Sequence, residues 1–399
     1  MAGPINWCSQ VVSVAQFGLL GIAQRRGSVA AAVFGIAGVV GVLVSVLSMA
    51  VGFKKTMTAS AAPDSAIVLR RGADTEMVSG FGKEETRLIA DAPGLARDTN
   101  GALASAELFV IINLPKRSSG TDANVPFRGV EPAAFGVRNI RIEKGGRALN
   151  WGQNEVIVGI GAAQEFAGLE VGKTLRIGRS EWPIVGLFSA GGGTAESEIW
   201  TDATVLQGAY HRGTSYQSVY ARLNSPTAFA QFKDSLTTDP RLSVKVMRQA
   251  DYYAEQSVQV TRLITVLGVL IAVLMAVGAV FGALNTMYNS VSTRTREIAT
   301  LRALGFGRWA ILTAVMLEAL ALALIGGLAG GMVAYVGFNG FRTSTVNWQS
   351  FSQVTFAFQV TPWLLALGIA LATVIGLFGG LLPAVRAARL PITAALREL

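Results

Sequence analysis

Four long apolar stretches constrain this chain more than any other feature of its sequence. A bilayer span needs about 20 consecutive apolar residues, and four stretches reach that length: 28–53, 263–288, 310–338 and 362–384. The first stretch has no charged residue and is followed by Phe53-Lys54-Lys55, which is not a small-residue cleavage site. We therefore interpret it as an uncleaved span, and the sequence predicts a membrane protein with four transmembrane helices.

Most of the charged residues lie between the first and second spans. Residues 54–262 hold 24 Lys or Arg and 22 Asp or Glu, whereas the other 190 residues hold only 13 charges. Short β-rich runs alternate there with helical patterns, which is typical of an α+β domain with its own core. Residues 249–262 contain no Pro or Gly, so we expect one helix to lead from this domain into the second span. The predicted fold is four transmembrane helices with a large extracytoplasmic α+β domain between helices 1 and 2.

The arginines predict the orientation of the spans. With a cytoplasmic N-terminus, the short cytoplasmic segments carry nine arginines against only Glu297 and Glu398. These arginines are Arg25, Arg26, Arg294, Arg296, Arg302, Arg308, Arg386, Arg389 and Arg397. Short basic segments stay in the cytoplasm, while a long domain of nearly balanced charge can be translocated. Both termini are thus expected in the cytoplasm, with 54–262 and the loop 339–361 outside.

Two further cytoplasmic segments flank the spans. Residues 1–27 place polar side chains along one helical face and apolar ones across from it, which predicts an interfacial helix on the cytoplasmic leaflet. A flexible leader is the alternative. Residues 385–399 form the predicted cytoplasmic tail.

Composition argues against catalysis and metal binding by this chain. Cys8 is the single cysteine and His211 the single histidine, so a thiolate cluster or a multi-histidine metal site cannot form. No acid–base pair or nucleophile motif has a telling spacing. We expect no catalytic residue, no metal site and no cofactor in this chain.

The segment 289–309, between the second and third spans, is the most informative stretch. It has apolar residues at helical spacing with a basic rim, and Gly305 and Gly307 can end the helix and turn the chain. One interpretation is simple positive-inside anchoring. The other is a docking helix for a cytoplasmic protein, formed by Arg296, Glu297, Ile298, Leu301, Arg302, Ala303, Leu304 and Gly305.

These residues carry a resemblance to a known family. Arg296-Glu297-Ile298, the run Leu301–Gly305 and Glu318-Ala319 resemble the FtsX-like permease family of ABC transporters. The C-terminal Leu382–Pro391 is similar to the closing motif of that family. Arg128–Pro132, Gly146-Arg147, Gly172–Thr174 and Pro183–Phe188 are similar to the periplasmic core domain of MacB-type permeases.

The resemblance implies a function and a set of partners. It implies a bacterial inner-membrane permease that works as a dimer with itself or a sister permease, and with a separate ABC ATPase subunit that binds ATP and Mg. The chain has only 27 residues before the first span and no Walker A motif, so the similarity is to split systems without a fused ATPase domain. ATPase closure would move the docking helix, the coupling helix of such permeases, and, through the first two spans, the outer domain, a mechanism called mechanotransmission.

Three functions are open for such a permease. Tripartite efflux with a periplasmic adaptor and an outer-membrane channel is the first. Release of lipoproteins from the membrane and activation of a periplasmic hydrolase are the others. No transported substrate can be argued from the residues.

Two features of the third span are singled out. Glu318 lies about 12 Å into the span, where an unpaired carboxylate is costly; it is a proton relay, a substrate contact or a structural partner for cytoplasmic arginines, and we favour the last. Gly326, Gly327, Gly330 and Gly331 form two small-xxx-small patterns that permit close helix packing, within one chain or across a dimer.

Overall fold

The computed structural model describes residues 26–59, 61–99 and 101–390. The predicted interfacial helix at 1–27 lies almost entirely outside these residues, as does most of the predicted tail at 385–399. The chain divides into two compact units: an α+β unit made of Gly52–Arg262 with Arg342–Ala357, and a helical unit that contains the remaining described residues. Helix α1 (Arg26–Ala59) opens the described chain.

The α+β unit is built on one mixed sheet, in the strand order β12-β1-β11-β4-β5-β10-β7-β9-β6, with β8 paired to β9. Its strands are β1 (Ser65–Arg70), β2 (Arg97–Asp98), β3 (Gly101–Ala102), β4 (Ala104–Pro115), β5 (Asp122–Val130), β6 (Arg141–Ile142), β7 (Val156–Gly159), β8 (Thr174–Ile177), β9 (Ser180–Ser189), β10 (Ile199–Asp202), β11 (Ser218–Arg222) and β12 (Val244–Arg248). The pairs β5–β10 and β7–β9 are parallel, and the other pairs within the large sheet are antiparallel. Strands β2 and β3 form a separate hairpin.

Short helices cover this sheet. They are α2 (Lys83–Ala90), α3 (Ala134–Val137), α4 (Ile160–Glu165), α5 (Ala203–Ala209) and α6 (Phe229–Thr238), together with 3-10 turns at Glu76–Val78, Thr194–Ser197 and Pro226–Ala228. Asp202 caps α5, because its carboxylate accepts hydrogen bonds from the backbone N–H groups of Thr204 and Val205.

The long strand β4 connects two hydrophobic clusters of this unit. Its residues Ala104 and Ala106 belong to one cluster, and Leu108 and Val110 belong to the next. Because successive side chains of a strand point to opposite faces, Glu107 is directed to the other face of the sheet, where it is fully buried. Glu107 is therefore a charged residue inside the unit, and its neighbours along β4 belong to the two apolar clusters.

Four helices of the described residues are long and apolar enough to cross a membrane. With α1 they are α7 (Gln249–Thr293), α9 (Arg308–Phe338) and α10 (Pro362–Arg389), and the short α8 (Thr295–Ala303) lies between α7 and α9. The helical unit contains α9 and α10 whole and the larger parts of α1 and α7. The helices extend beyond the predicted spans. The longest extension is at the start of α7, where no Pro or Gly interrupts 249–262. Pro362 occupies the first turn of α10, and the Thr361 side chain caps it.

Small and branched side chains fill the core of the helical unit. Val40 and Val44 of α1, Ala323 of α9, and Ala372 and Ile375 of α10 are all buried in one cluster. Gly376 of α10 lies close to α9, because a Cβ there would lie 2.5 Å from the Ala323 Cβ. Interfaces rich in small residues let helix backbones approach closely in a membrane.

The segment predicted as the loop 339–361 contains an antiparallel hairpin, β13 (Arg342–Asn347) and β14 (Ser352–Ala357), which packs within the α+β unit. Asn347 Nδ2 donates to Gln256 Oε1 of α7 at 3.0 Å, and the Thr355 backbone N–H donates to Ser197 Oγ at 2.9 Å. The rings of Phe356 and Phe53 meet edge to face. The α+β unit is thus assembled from two separate parts of the sequence.

Candidate functional site

The predicted docking segment forms a short helix, α8, between two long ones. Its end is set by Gly305, whose φ of +98° lies in the left-handed region that favours glycine. The Phe306 N–H donates to the Leu301 carbonyl and the Gly305 N–H to that of Arg302, so the last carbonyls of the helix are satisfied. Gly307 then precedes the first residue of α9.

The predicted apolar face, formed by Ile298, Leu301 and Leu304, is not one exposed surface. Ile298 is 7% exposed and packs with Met287, Val291 and Ile311 in the core of the helical unit. Leu304 is 73% exposed, and Leu301 is partly buried. The surface open to a partner is therefore narrower than predicted, and Ile298 belongs to the fold. The exposed residues of the predicted set are Arg296, Glu297, Ala303, Leu304 and Gly305.

Arg302 is also engaged within the helical unit. Its Nη1 donates a hydrogen bond to the carbonyl oxygen of Leu390, at the end of α10. This hydrogen bond connects α8 to the end of α10. The Arg302 side chain is therefore less available to a partner than its place in the sequence indicates.

Glu318 is paired with the segment that leads into α8. It is 4% exposed, its Oε2 lies 3.2 Å from Arg294 Nη1, and its Oε1 accepts a hydrogen bond from Ser290 Oγ at 3.2 Å. Arg294 also pairs with Glu297 at 3.3 Å. A buried carboxylate is tolerated when it is paired and hydrogen-bonded, and Glu318 has both kinds of contact; its structural role stays a prediction.

The four glycines of α9 pack within this chain, against two different helices. A Cβ on Gly330 would lie 2.3 Å from the Ala37 carbonyl oxygen of α1, and one on Gly326 would lie 2.9 Å from that of Val33. On the next face, a Cβ on Gly327 would lie 2.8 Å from the Ala372 Cβ of α10, and one on Gly331 would lie 3.3 Å from Leu365. One small-xxx-small pattern therefore packs against α1 and the other packs against α10.

The sequence analysis missed a cluster of five buried charged residues in the α+β unit. We call it the charge cluster, and its members are Glu76, Glu107, Arg128, Arg138 and Glu198. Arg128 of β5 is at its centre: it donates five hydrogen bonds of 2.7–3.1 Å to Glu76, Glu107 and Glu198. Because a guanidinium has five N–H donors, every donor of Arg128 is used.

The second guanidinium of the charge cluster connects it to the start of α7. Arg138 Nη1 donates to Glu107 Oε2 at 3.0 Å, and Nη2 donates to Tyr253 Oη at 2.9 Å. Its guanidinium also lies 4.2 Å from the ring centroid of Tyr220, which is a cation–π contact. The Tyr220 and Tyr253 hydroxyls are 3.0 Å apart.

A signal for the charge cluster is present in the sequence. Glu107 and Arg128 each interrupt a run that otherwise has strand character, Ala104–Leu114 and Val125–Val130. A charged residue within a fully buried strand needs a partner. The sequence does not say which one, because the partners lie on other elements 21 to 70 positions away. Among the residues that the structure describes, no group of three or more His, Cys, Asp or Glu side chains could hold a metal ion.

These features define an integral membrane protein with a large α+β unit between its first two long helices. The family profile of the MacB-like periplasmic core domain matches residues 29–239, and that of the FtsX-like permease C-terminal region matches 269–392. The chain therefore belongs to the FtsX-like, MacB-type family of ABC transporter permeases.

The similar proteins include a MacB protein and another ABC transporter permease. The macrolide export ATP-binding/permease protein MacB 1/2 of Paracoccus denitrificans is 27% identical over 334 residues, which cover 79% of this chain and 48% of that protein. The uncharacterized ABC transporter permease YknZ of Bacillus subtilis is 28% identical over 298 residues, 69% of this chain and 70% of that protein. This chain thus spans about half the length of the MacB relative.

A solved structure of the periplasmic region of MacB from Actinobacillus actinomycetemcomitans aligns with 50% of this chain and 94% of that chain. The sequence identity is 12% and the TM-score is 0.38. The family assignment rests on the two profiles and not on this alignment.

Proposed function

We propose that this chain is the non-catalytic permease subunit of an ATP-driven ABC exporter that works by mechanotransmission. A separate ATPase subunit binds ATP and Mg and docks on α8, and the permease acts as a dimer. The names of the MacB relatives support export as the outcome. We further propose that a periplasmic adaptor and an outer-membrane channel complete a tripartite efflux system.

The observation that carries this proposal is the continuity of α7. It is a single helix of 45 residues, about 67 Å long at about 1.5 Å per residue, against a hydrocarbon core of about 30 Å. Its first turn contributes Tyr252 and Tyr253, which contact the charge cluster. Its last residue is separated from α8 by Arg294 alone. Such a helix is suited to carry a push at α8 to the α+β unit.

The exposed end of α8 supports a docking role. Leu304, which directly follows α8, presents a large apolar side chain to the surroundings, and the charged Arg296 and Glu297 of α8 are exposed as well. A desolvated apolar anchor surrounded by polar residues is the usual centre of a protein–protein interface. Positive-inside anchoring alone requires the arginines but not an exposed leucine.

The test is a Leu304→Asp variant of the tagged chain, purified from native membranes. We expect loss of the ATP-binding subunit, because truncating an anchor often costs about 2 kcal/mol or more, which is about thirtyfold in affinity. Co-purified ATPase is measured by quantitative mass spectrometry and by ATP hydrolysis. The helical unit should still fold, since Leu304 contributes little buried surface.

Val78→Asp is the matched control, because Val78 is also apolar and is 70% exposed but lies in the α+β unit. It should retain the ATPase at the wild-type level. If Leu304→Asp retains the ATPase as well, the docking assignment is wrong. A wild-type chain that carries no ATP-binding subunit would contradict the proposed function itself.

A further inference from the structure

The charge cluster contains more acids than bases. Three carboxylates face two guanidinium groups, and all five side chains are buried. Glu76 and Glu198 each make two hydrogen bonds to Arg128, while Glu107 shares a single oxygen, Oε2, between Arg128 and Arg138. The other oxygen of Glu107, Oε1, is buried and has no hydrogen-bond partner. Glu107 is thus the member whose negative charge is least compensated.

The groups that face Glu107 come from every element packed around it. The charged groups are Arg128 of β5, Arg138 after α3, Glu76 of the 3-10 turn and Glu198 before β10. The hydroxyls of Tyr252 and Tyr253 of α7 contact Glu76 and Arg138, and that of Tyr220 of β11 contacts Tyr253. With Glu107 ionised, the five charged groups sum to one excess negative charge. With Glu107 protonated, they are neutral. In a low-dielectric interior the neutral state is favoured.

The pKa values of these carboxyl groups agree with this geometry. Burial raises the pKa of Glu107 to about 7, and the Arg138 and Arg128 charges, which lower it, do not compensate. Burial also acts to raise the pKa of Glu76, but there the charge and hydrogen bonds of Arg128 prevail and the pKa is lowered. A cleft beside the cluster is lined by Glu76, Arg128 and Glu198 but not by Glu107.

One residue, Arg138, connects Glu107 to the start of α7 through two hydrogen bonds. Arg138 joins the Glu107 carboxylate to the Tyr253 hydroxyl, and the neighbouring Tyr252 hydroxyl accepts a hydrogen bond from the Glu76 backbone N–H at 3.3 Å. The first turn of α7 is therefore held by groups whose balance of charge changes when Glu107 gains or loses a proton.

We propose that the charge cluster is a proton-dependent joint, which holds the first turn of α7 against the sheet when Glu107 is protonated and loosens when Glu107 ionises. An ionised Glu107 leaves an excess charge and an oxygen without a donor, and both are relieved when water enters. The joint concerns the α+β unit alone, so it stands independently of export and of the ATPase.

The direction of the pH effect follows from linkage. The pKa of Glu107 in the closed joint lies above its ordinary value of 4.5, so its contribution is fully present below pH 4.5 and is lost as the pH rises through about 7. If opening restores the ordinary value, the closed joint should be favoured about tenfold more at pH 6 than at pH 8.

Hydrogen–deuterium exchange of the full chain in lipid nanodiscs tests the joint. Protection of residues 249–257 is measured at pH 6 and pH 8, with the intrinsic pH dependence of exchange removed. We expect wild-type protection to fall about tenfold at pH 8. Glu107→Gln, which mimics the protonated side chain, should show the same high protection at both pH values.

Glu131→Gln is the matched control. Glu131 is also a carboxyl group whose pKa is raised by burial, and it accepts a hydrogen bond from the backbone N–H of Ala106, next to Glu107. It lies outside the charge cluster, so this variant should keep the wild-type response. Equal wild-type protection at both pH values overturns the proposal, and so does a response that persists in Glu107→Gln or disappears only in Glu131→Gln.

Infrared spectroscopy of the wild type gives a second measurement that does not depend on how Glu107→Gln folds. In the wild type, the infrared band of a protonated carboxyl group should be present at pH 6 and disappear with a midpoint near pH 7. Glu131→Gln should show the same band with the same pH dependence. Absence of this band at pH 6 overturns the proposal.

Discussion

At the scale of single residues, Arg128 shows how a buried charge organises the α+β unit. Its side chain is 1% exposed, yet each of its N–H groups has a carboxylate acceptor. Replacing a whole buried ion cluster by apolar groups is often neutral, whereas removing one partner leaves the others uncompensated. The contribution of Arg128 to stability is therefore seen when it is removed and Glu76 and Glu198 remain buried without it.

We expect Arg128→Met to destabilise the α+β unit by about 3–5 kcal/mol, because two carboxylates would remain buried without their main partner. The free energy of unfolding is measured by urea titration of the purified chain, followed through exchange protection of β4 and β5. Arg176→Met is the control: both members of the Arg176–Glu181 pair are exposed, and such pairs contribute about 0–1 kcal/mol. Equal losses in the two variants would contradict a central role for Arg128.

A residue could be predicted from the sequence when its signal is local, and could not when its role depends on contacts between distant elements. Glu318 was singled out because a carboxylate inside a span is unusual wherever its partner lies. Glu107 and Arg128 were not paired, since the contacts that define them cross between strands, and no local period encodes which strands are neighbours. The burial of Ile298 was missed for a related reason: helical spacing identifies an apolar face but not the surface that covers it.

At the scale of elements, the glycines of α9 decide how the long helices pack. The small-xxx-small patterns were visible in the sequence, but they only permit close approach and do not name a partner. The structure assigns Gly326 and Gly330 to α1, and Gly327 and Gly331 to α10. The β13–β14 hairpin was not predicted, because its strands are short and pair with one another in a segment that the apolar spans define only as a connection.

Gly330→Ala should destabilise the helical unit by about 1–3 kcal/mol, since a Cβ at 2.3 Å from a backbone oxygen forces the helices apart. Gly337→Ala on the same helix is the control, because a Cβ there meets nothing within 4 Å, and a helical Gly→Ala change is neutral or favourable. Thermal unfolding in detergent compares the two. A Gly330→Ala protein as stable as Gly337→Ala would mean that α1 and α9 do not meet at this position.

At the scale of the whole molecule, the division into two units follows from composition. Apolar helices and a charge-rich domain of 22 acidic and 24 basic residues require different solvents, so the sequence alone separates them. The side of the membrane on which each unit lies rests on a different kind of information, the distribution of arginines. That orientation is the feature of the whole molecule that an experiment can settle most directly.

Cysteine labelling in intact cells with a permeable outer membrane tests the orientation. Cys8 is first replaced by Ser, and one cysteine is then placed at Lys144 of the α+β unit or at Thr300 of α8, both of which are exposed. We avoid Gly191 and Gly192, because their φ values of +62° and +79° would strain a cysteine. The positive-inside rule predicts that a membrane-impermeant thiol reagent labels Lys144→Cys at once and Thr300→Cys only after the inner membrane is disrupted. The reverse order would place nine arginines outside and overturn the orientation, and with it the docking of a cytoplasmic ATPase on α8.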